Sequence, residues 1–230
     1  MAAVNAAKDS AETDAPFDVR ERRMSPRVTT LMRAAKLVGL TGEYPCIIKD
    51  VSETGVRLKL FHTLPESRLA LELAPGIHHF LECVWQRDGE AGFRAAVPID
   101  IDDFLSILGR KEDSQVWFKV RIPGSACTST AKRPMAFEAL ARQGADIETA
   151  AHFAIGELVM LGSEGLPTLN GRVASLRPGG YRVLFTDAFR LDELAALIWR
   201  LPRWETRPCE PPVEYDAPDA SDTITPIKAA

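Results

Sequence analysis

Glu21-Arg22-Arg23-Met24-Ser25-Pro26-Arg27 and, twenty-two residues further on, Asp50-Val51-Ser52-Glu53-Thr54-Gly55 carry the densest chemistry in the chain. Arg23 and Arg27 form R-x-x-x-R; Asp50, Ser52 and Gly55 form D-x-S-x-x-G. Guanidinium groups are permanently charged planar forks that grip phosphate oxygens or the O6/N7 edge of guanine and stack on flat rings. A carboxylate such as Asp50 accepts from the N–H groups of a base edge, and Ser52 adds a small donor and acceptor beside it. Gly55 would allow a tight turn or a close approach of the backbone to a ligand. Pro26 stiffens the arm and excludes helix between the two arginines. Between positions 18 and 36, Arg20, Arg22, Arg23, Arg27, Arg33 and Lys36 face only Asp18 and Glu21, a locally positive arm in a chain of net charge −4. Taken singly, the basic cluster reads as solvated surface and the D-x-S-x-x-G as an ordinary turn. Their joint occurrence points to a site for an anionic, planar ligand.

Around this stretch the chain alternates short strands with turn residues. Residues 1–16 are rich in Ala, Asp, Ser and Thr and are expected to be disordered; the arm of residues 17–27 is expected to be extended until something holds it. Val28 to Val38 reads as a first strand and Gly39 to Glu43 as a break. Tyr44 to Val51 and Val56 to Phe61 follow as strands two and three, the latter alternating Val56, Leu58 and Leu60 with Arg57 and Lys59. The D-x-S-x-x-G motif therefore sits at a hairpin. Leu69 to Leu73, His79 to Gln86 and Gly92 to Val97 read as three more strands, the last two joined through Arg87-Asp88-Gly89-Glu90. Short strands punctuated this often suggest an antiparallel barrel. At Asp100 the period changes to that of a helix, with Asp100 and Asp102 as candidate caps and Phe104, Leu105 and Leu108 on one face.

The second half repeats the first. Arg142 to Ile147 aligns with Glu53 to Leu58, placing Gly144 on Gly55 at a displacement of 89. Gly180-Tyr181-Arg182 aligns with Gly92-Phe93-Arg94 at 88, and Leu191 to Leu194 with Ile101 to Phe104 at 90. Val116 to Ile122, Met135 to Leu140, Glu157 to Leu161, Gly171 to Leu176 and Tyr181 to Phe185 are expected strands, and Leu191 to Leu201 a closing helix.

The R-x-x-x-R followed at this distance by D-x-S-x-x-G resembles the PilZ family of bacterial cyclic di-GMP receptors. Val84-Trp85 and Gly92-Phe93 also match the late strands of that family. The resemblance covers roughly Arg20 to Leu108. It implies a mainly β chain of two tandem small antiparallel PilZ-like β-barrels, each followed by a C-terminal helix: residues 17–109, and a degenerate copy at 110–201. It also implies that Arg23 and Arg27 contact phosphate and guanine edges, that Asp50 and Ser52 hold guanine on the barrel rim, and that Gly55 shapes the turn. Arg22 extends the motif to R-R-x-x-x-R, which in the family accompanies two stacked nucleotides. The arm is expected to fold over the ligand and change the surface shown to a protein partner. The second copy carries Ala139 and Ala141 in place of Asp50 and Ser52, and no R-x-x-x-R precedes Val116, so it is expected to bind no nucleotide and instead to pack on the first barrel or meet a partner.

Composition bounds the alternatives. A hydrophobic fraction of 46% and a charged fraction of 26% are those of an ordinary globular chain, and a pI near 5.7 argues against bulk nucleic-acid binding. No apolar run is long enough for membrane insertion, and the N-terminus lacks the order of a secretory signal, so the expected location is the cytoplasm. Cys46, Cys83, Cys127 and Cys209 are singletons, suggesting neither zinc nor a disulfide framework. His62, His78, His79 and His152 form no metal or nucleophile pattern, and Pro178-Gly179-Gly180 reads as a hairpin turn, not a phosphate cradle. The chain is read as a receptor without enzymatic activity, metal or cofactor, whose ligand is cyclic di-GMP. A scaffold without a nucleotide is the alternative; a barrel for single-stranded nucleic acid is disfavoured because only 7% of residues are aromatic. Residues 202–230 are Pro-rich and acidic and are expected to form a disordered tail.

Overall fold

A computed structural model describes residues 28–109 and 115–201. Two closed barrels of six antiparallel strands account for them. The first is built from β1 (Val28–Val38), β2 (Glu43–Ser52), β3 (Gly55–Leu60), β4 (Arg68–Ala74), β5 (Ile77–Arg87) and β6 (Glu90–Ala95), followed by α1 (Ile101–Gly109). The second comprises β7 (Phe118–Cys127), β8 (Lys132–Ala141), β9 (Gly144–Glu148), β10 (Leu158–Gly162), β11 (Leu169–Arg177) and β12 (Gly180–Phe185), followed by α2 (Leu191–Arg200). Strand order around each barrel is the same, β1-β2-β3-β6-β5-β4 matching β7-β8-β9-β12-β11-β10. Among the described residues no helix is long and apolar enough to cross a membrane.

Alternation sorts the side chains as the strand period demands. Ile48, Val51, Leu58, Leu71 and Phe93 fill the first barrel; Phe118, Phe137, Leu140, Leu161 and Val183 fill the second. Asp100 caps α1, its Oδ1 accepting from the Asp103 amide at 3.0 Å. Phe104 is buried under α1 together with Ile107, while Leu105 and Leu108 are only half-buried, so the apolar stripe lies one turn-position away from the face expected for Leu105.

Strand register refines the internal repeat. Phe93 pairs with Cys83 and Val56, and Val183 pairs with Val173 and Ala145. The displacement along β4, β5 and β6 is therefore 90 and not 88: Arg182 corresponds to Gly92, and Leu184 to Arg94. Along β2 and β3 it is 89, as Gly55 and Gly144 required. The bulges between Cys83 and Trp85 and between Val173 and Ser175 fall at equivalent places. In β1 the bulge between Thr29 and Arg33 is one residue longer than its counterpart between Lys119 and Ile122. Met32 sits within it at φ 31°, in the left-handed region that a methionine seldom adopts.

The barrels are joined by buried polar contacts and by α2. Lys36 on β1 is 4% exposed, and its Nζ meets Glu43 Oε1 at 3.1 Å, Glu72 Oε1 at 3.3 Å and the Trp117 carbonyl at 3.0 Å. Glu43 Oε2 accepts from the Lys119 amide at 2.8 Å. Helix α2 places Leu194 in the second core, while Trp199 packs against the first, stacked on His62 with ring centroids 4.6 Å apart.

Candidate functional site

Asp50 and Ser52 end β2, and Gly55 opens β3, with Glu53 and Thr54 as the turn between them. Ser52 pairs with Gly55 across this hairpin, and its hydroxyl donates to the Gly55 carbonyl at 3.1 Å. Gly55 does not have a positive φ; its missing Cβ is required because any side chain would strike the Phe93 carbonyl of β6. The glycine thus serves strand packing, a reason distinct from the ligand approach expected for it. Gly144 is confined in the same way by the Val183 carbonyl, 2.6 Å from where a Cβ would lie.

Asp50 is 5% exposed, an unusual depth for a carboxylate near a barrel rim. Its Oδ2 accepts from Nε and Nη2 of Arg57, each at 2.7 Å. Arg57 is the cross-strand partner of Asp50, and its Nη1 lies 3.5 Å from Glu90 Oε2. Glu90 in turn meets Lys49 Nζ at 3.3 Å. Sequence reasoning passed over Arg57, treating it as the polar half of an alternating strand. The available signal was its position seven residues after Asp50 around a two-residue turn, which places the pair opposite one another. Arg94, on the exposed face of β6, pairs with Gly55, and its Nη1 lies 4.0 Å from Glu82 Oε2.

Arg22, Arg23 and Arg27 lie outside the described residues. The described chain begins one residue after Arg27, at Val28, whose cross-strand partner is Val51; Thr29 pairs with Asp50. The backbone leaving the R-x-x-x-R motif therefore enters the barrel directly beside the D-x-S-x-x-G motif, although the two are far apart in sequence.

The equivalent place in the second barrel is built from different chemistry. Ala139 and Ala141 stand where Asp50 and Ser52 stand, and Asp146 occupies the position of Arg57. Arg182 donates to Asp146 through Nε and a second guanidinium nitrogen, both at 2.7 Å, and these bonds raise the Arg182 pKa. The guanidinium also lies 3.9 Å from the centre of the Trp117 ring. Trp117 precedes Lys119 by two positions, as Arg27 precedes Thr29, so an aromatic residue takes the sequence place of an arginine.

His62 and His79 each bury an Nε2 that has no hydrogen-bond partner among the described residues. His78 Nε2 lies 3.0 Å from Glu72, whereas His79 points the other way against Phe104; burial lowers the His79 pKa, partly offset by Asp103. Cys46 is fully buried, which pushes its thiol pKa up. Among the described residues no group of three or more His, Cys, Asp or Glu side chains could hold a metal.

No protein-family model and no curated protein sequence matches the chain. Among solved structures, it aligns with the Borreliella burgdorferi PlzA protein in complex with c-di-GMP at 9% identity, over 78% of this chain and 94% of that one, with a TM-score of 0.31. Escherichia coli YcgR in complex with c-di-GMP aligns at 12% identity, over 72% and 81%, with a TM-score of 0.29. The Bacillus subtilis inhibitor of motility, MotI/DgrA, aligns at 9% identity, over 74% and 95%, with a TM-score of 0.27. At such identities and TM-scores neither ligand nor site transfers, and both rest on this chain's own residues.

Proposed function

We propose that the first barrel is a receptor for cyclic di-GMP and that ligand binding alters the surface this protein shows to a protein partner. The observation that carries the reading is the pairing of Val28 with Val51, which supports bringing Arg27 to the rim that holds Asp50 and Ser52. In this reading Arg23 and Arg27 clamp phosphate and guanine edges, Arg22 holds the outer member of a stacked pair, Asp50 accepts from a guanine edge, Ser52 bonds beside it and Gly55 lets the hairpin pack against β6. The arm folds over the ligand as its charge is neutralised, a disorder-to-order switch whose ordering cost lowers the observed affinity. The protein acts in the cytoplasm, uses no cofactor and catalyses no reaction.

Calorimetric titration of the full chain with cyclic di-GMP tests this. Replacing Arg23, Arg27 or Asp50 by Ala should each weaken binding by roughly ten- to a hundredfold, since hydrogen bonds to charged groups contribute about 1.5–3 kcal/mol. Saturation at two nucleotides per chain, falling to one in Arg22→Ala, would support the stacked pair; one nucleotide in the wild type would remove it and leave the receptor. A second reading, a protein-interaction scaffold without a nucleotide, is favoured by one feature: Asp50 and Ser52 both have partners within the barrel. Absence of saturable binding together with unchanged thermal stability in excess nucleotide would select the scaffold.

A further inference from the structure

The outer face of the second barrel differs from that of the first at positions that register fixes. In the first barrel a row across four strands reads Arg68, Glu82, Arg94, Gly55. The same row in the second reads Leu158, Arg172, Leu184, Gly144. Two exposed arginines have thus become leucines, and the acid between them an arginine. Leu158 is 63% exposed and Leu184 45%; Met160, two positions along β10, is 45% exposed. The Trp117 ring and the Leu184 side chain close over Gly144, within 3.5 and 3.4 Å of where a Cβ would lie, extending the apolar surface. Leu158 and Met160 lie on one side of Arg172 and Leu184 on the other, and exposed apolar side chains grouped in this way mark a place where another segment docks.

Its charge says what that segment carries. Arg172, whose Nη1 donates to the Gly156 carbonyl, stands at the centre of the row, and Arg142, whose Nε donates to the Phe189 carbonyl, is exposed two residues before Gly144. The neighbouring acids are already engaged: Asp146 with Arg182 and Arg177, and Glu157 with the Ala154 amide. A second copy of the same face would set Arg172 against Arg172. The fitting occupant is an apolar segment flanked by carboxylates, and the chain itself contains one. Between Pro208 and Ile227 there is no basic residue; Glu210, Glu214, Asp216, Asp219 and Asp222 surround Val213 and Tyr215. In an extended segment Val213 and Tyr215 project to the same side.

We propose that residues 210–222 dock on the β10-β11-β12 face, with Val213 and Tyr215 against Leu158, Met160 and Leu184, and carboxylates toward Arg172 and Arg142. Tethering in the same chain raises the effective concentration of the segment to about millimolar, so modest complementarity suffices. Docking there would cover this face until a competitor of similar chemistry displaces the tail. The inference rests on strand register and holds whichever ligand the first barrel takes.

Methyl NMR spectra of the full chain test it without nucleotide. In Val213→Asp/Tyr215→Asp, the methyl signals of Leu158, Met160 and Leu184 should shift while those of buried Leu161 and Val173 stay in place. A synthetic peptide of residues 205–224 added to that variant should restore them. In a chain that also carries Leu158→Ser/Leu184→Ser, which removes the apolar anchors without adding charge, the peptide should bind at least about tenfold more weakly, read at the Met160 methyl. Unchanged methyl shifts in the tail variant, or a peptide that fails to restore them, would overturn the proposal. So would wild-type shifts that vary with protein concentration, which would show association between copies in place of docking within one chain.

Discussion

Replacing Lys36 by Met removes an ammonium group while keeping most of the side chain's volume, so the perturbation falls on the charge network between the barrels. Three oxygens lose a donor: Glu43 Oε1, Glu72 Oε1 and the Trp117 carbonyl. Breaking a buried ion pair from one side costs about 3–5 kcal/mol because the partner charge is left uncompensated. Two compensations pull the figure toward the lower end, since Glu43 keeps the Lys119 amide and Glu72 keeps His78. The expected loss is about 3 kcal/mol, which for a chain of this size lowers Tm by roughly 6–12 °C. Urea unfolding followed by tryptophan fluorescence should show the midpoint fall with the slope unchanged. Adding Glu43→Gln should recover at least about 1 kcal/mol of that loss, the coupling expected of a pair in direct contact. A loss below about 1 kcal/mol, or no recovery in the double variant, would refute the assignment of the network as the polar tie between barrels.

Gly55→Ala should destabilise the first barrel by about 1–3 kcal/mol through overpacking against the Phe93 carbonyl, whereas Gly162→Ala, where a Cβ meets nothing, should cost far less; equal costs by thermal melting would contradict the geometry. Nucleotide added to the full chain should move amide signals of Asp50, Ser52 and Gly55 and leave Ala139 and Ala141 in place; saturable shifts at the alanines would show that the second barrel retains a site. Burial opposes ionisation of Glu66, but hydrogen bonds from the Thr41 hydroxyl and amide, the Leu40 amide and the Tyr44 hydroxyl outweigh it, so its pKa lies below the ordinary 4.5. The folded state therefore binds fewer protons at this group than the unfolded chain does, and its contribution is present above pH 4.5 and lost as pH falls through the lowered value. Glu66→Gln should accordingly flatten the acid side of the stability curve, and an unchanged acid limb would rule out that linkage.

Both barrels were legible in the sequence because period-two alternation and Gly-bearing turns are local signals. The hairpin that joins Asp50 and Ser52 to Gly55 was legible for the same reason. What escaped depends on distances between strands or between barrels. The two-residue slip at Gly180-Tyr181-Arg182 arose because the tripeptide resembles Gly92-Phe93-Arg94; a shift of two keeps every side chain on its own face, so hydrophobic patterning cannot expose it. Arg57 looked like one more solvated residue on an alternating strand, since only cross-strand register puts it on Asp50. Lys36 was counted with the basic arm, yet its partners include a carbonyl eighty-one positions away in the chain. The arginines themselves fall outside the described residues, and the titrations proposed above test their part in the site.

Helix α2 belongs to the second barrel by sequence, yet it lays Leu194 in one core and Trp199 against the other. Pulling the barrels apart would strip Trp199 from Tyr44 and His62 and open the buried ion network in the same movement. The tandem is therefore expected to melt as a single cooperative block and not as beads on a string. A signal arriving at one barrel can therefore reach the other through this shared helix and through the buried ion network.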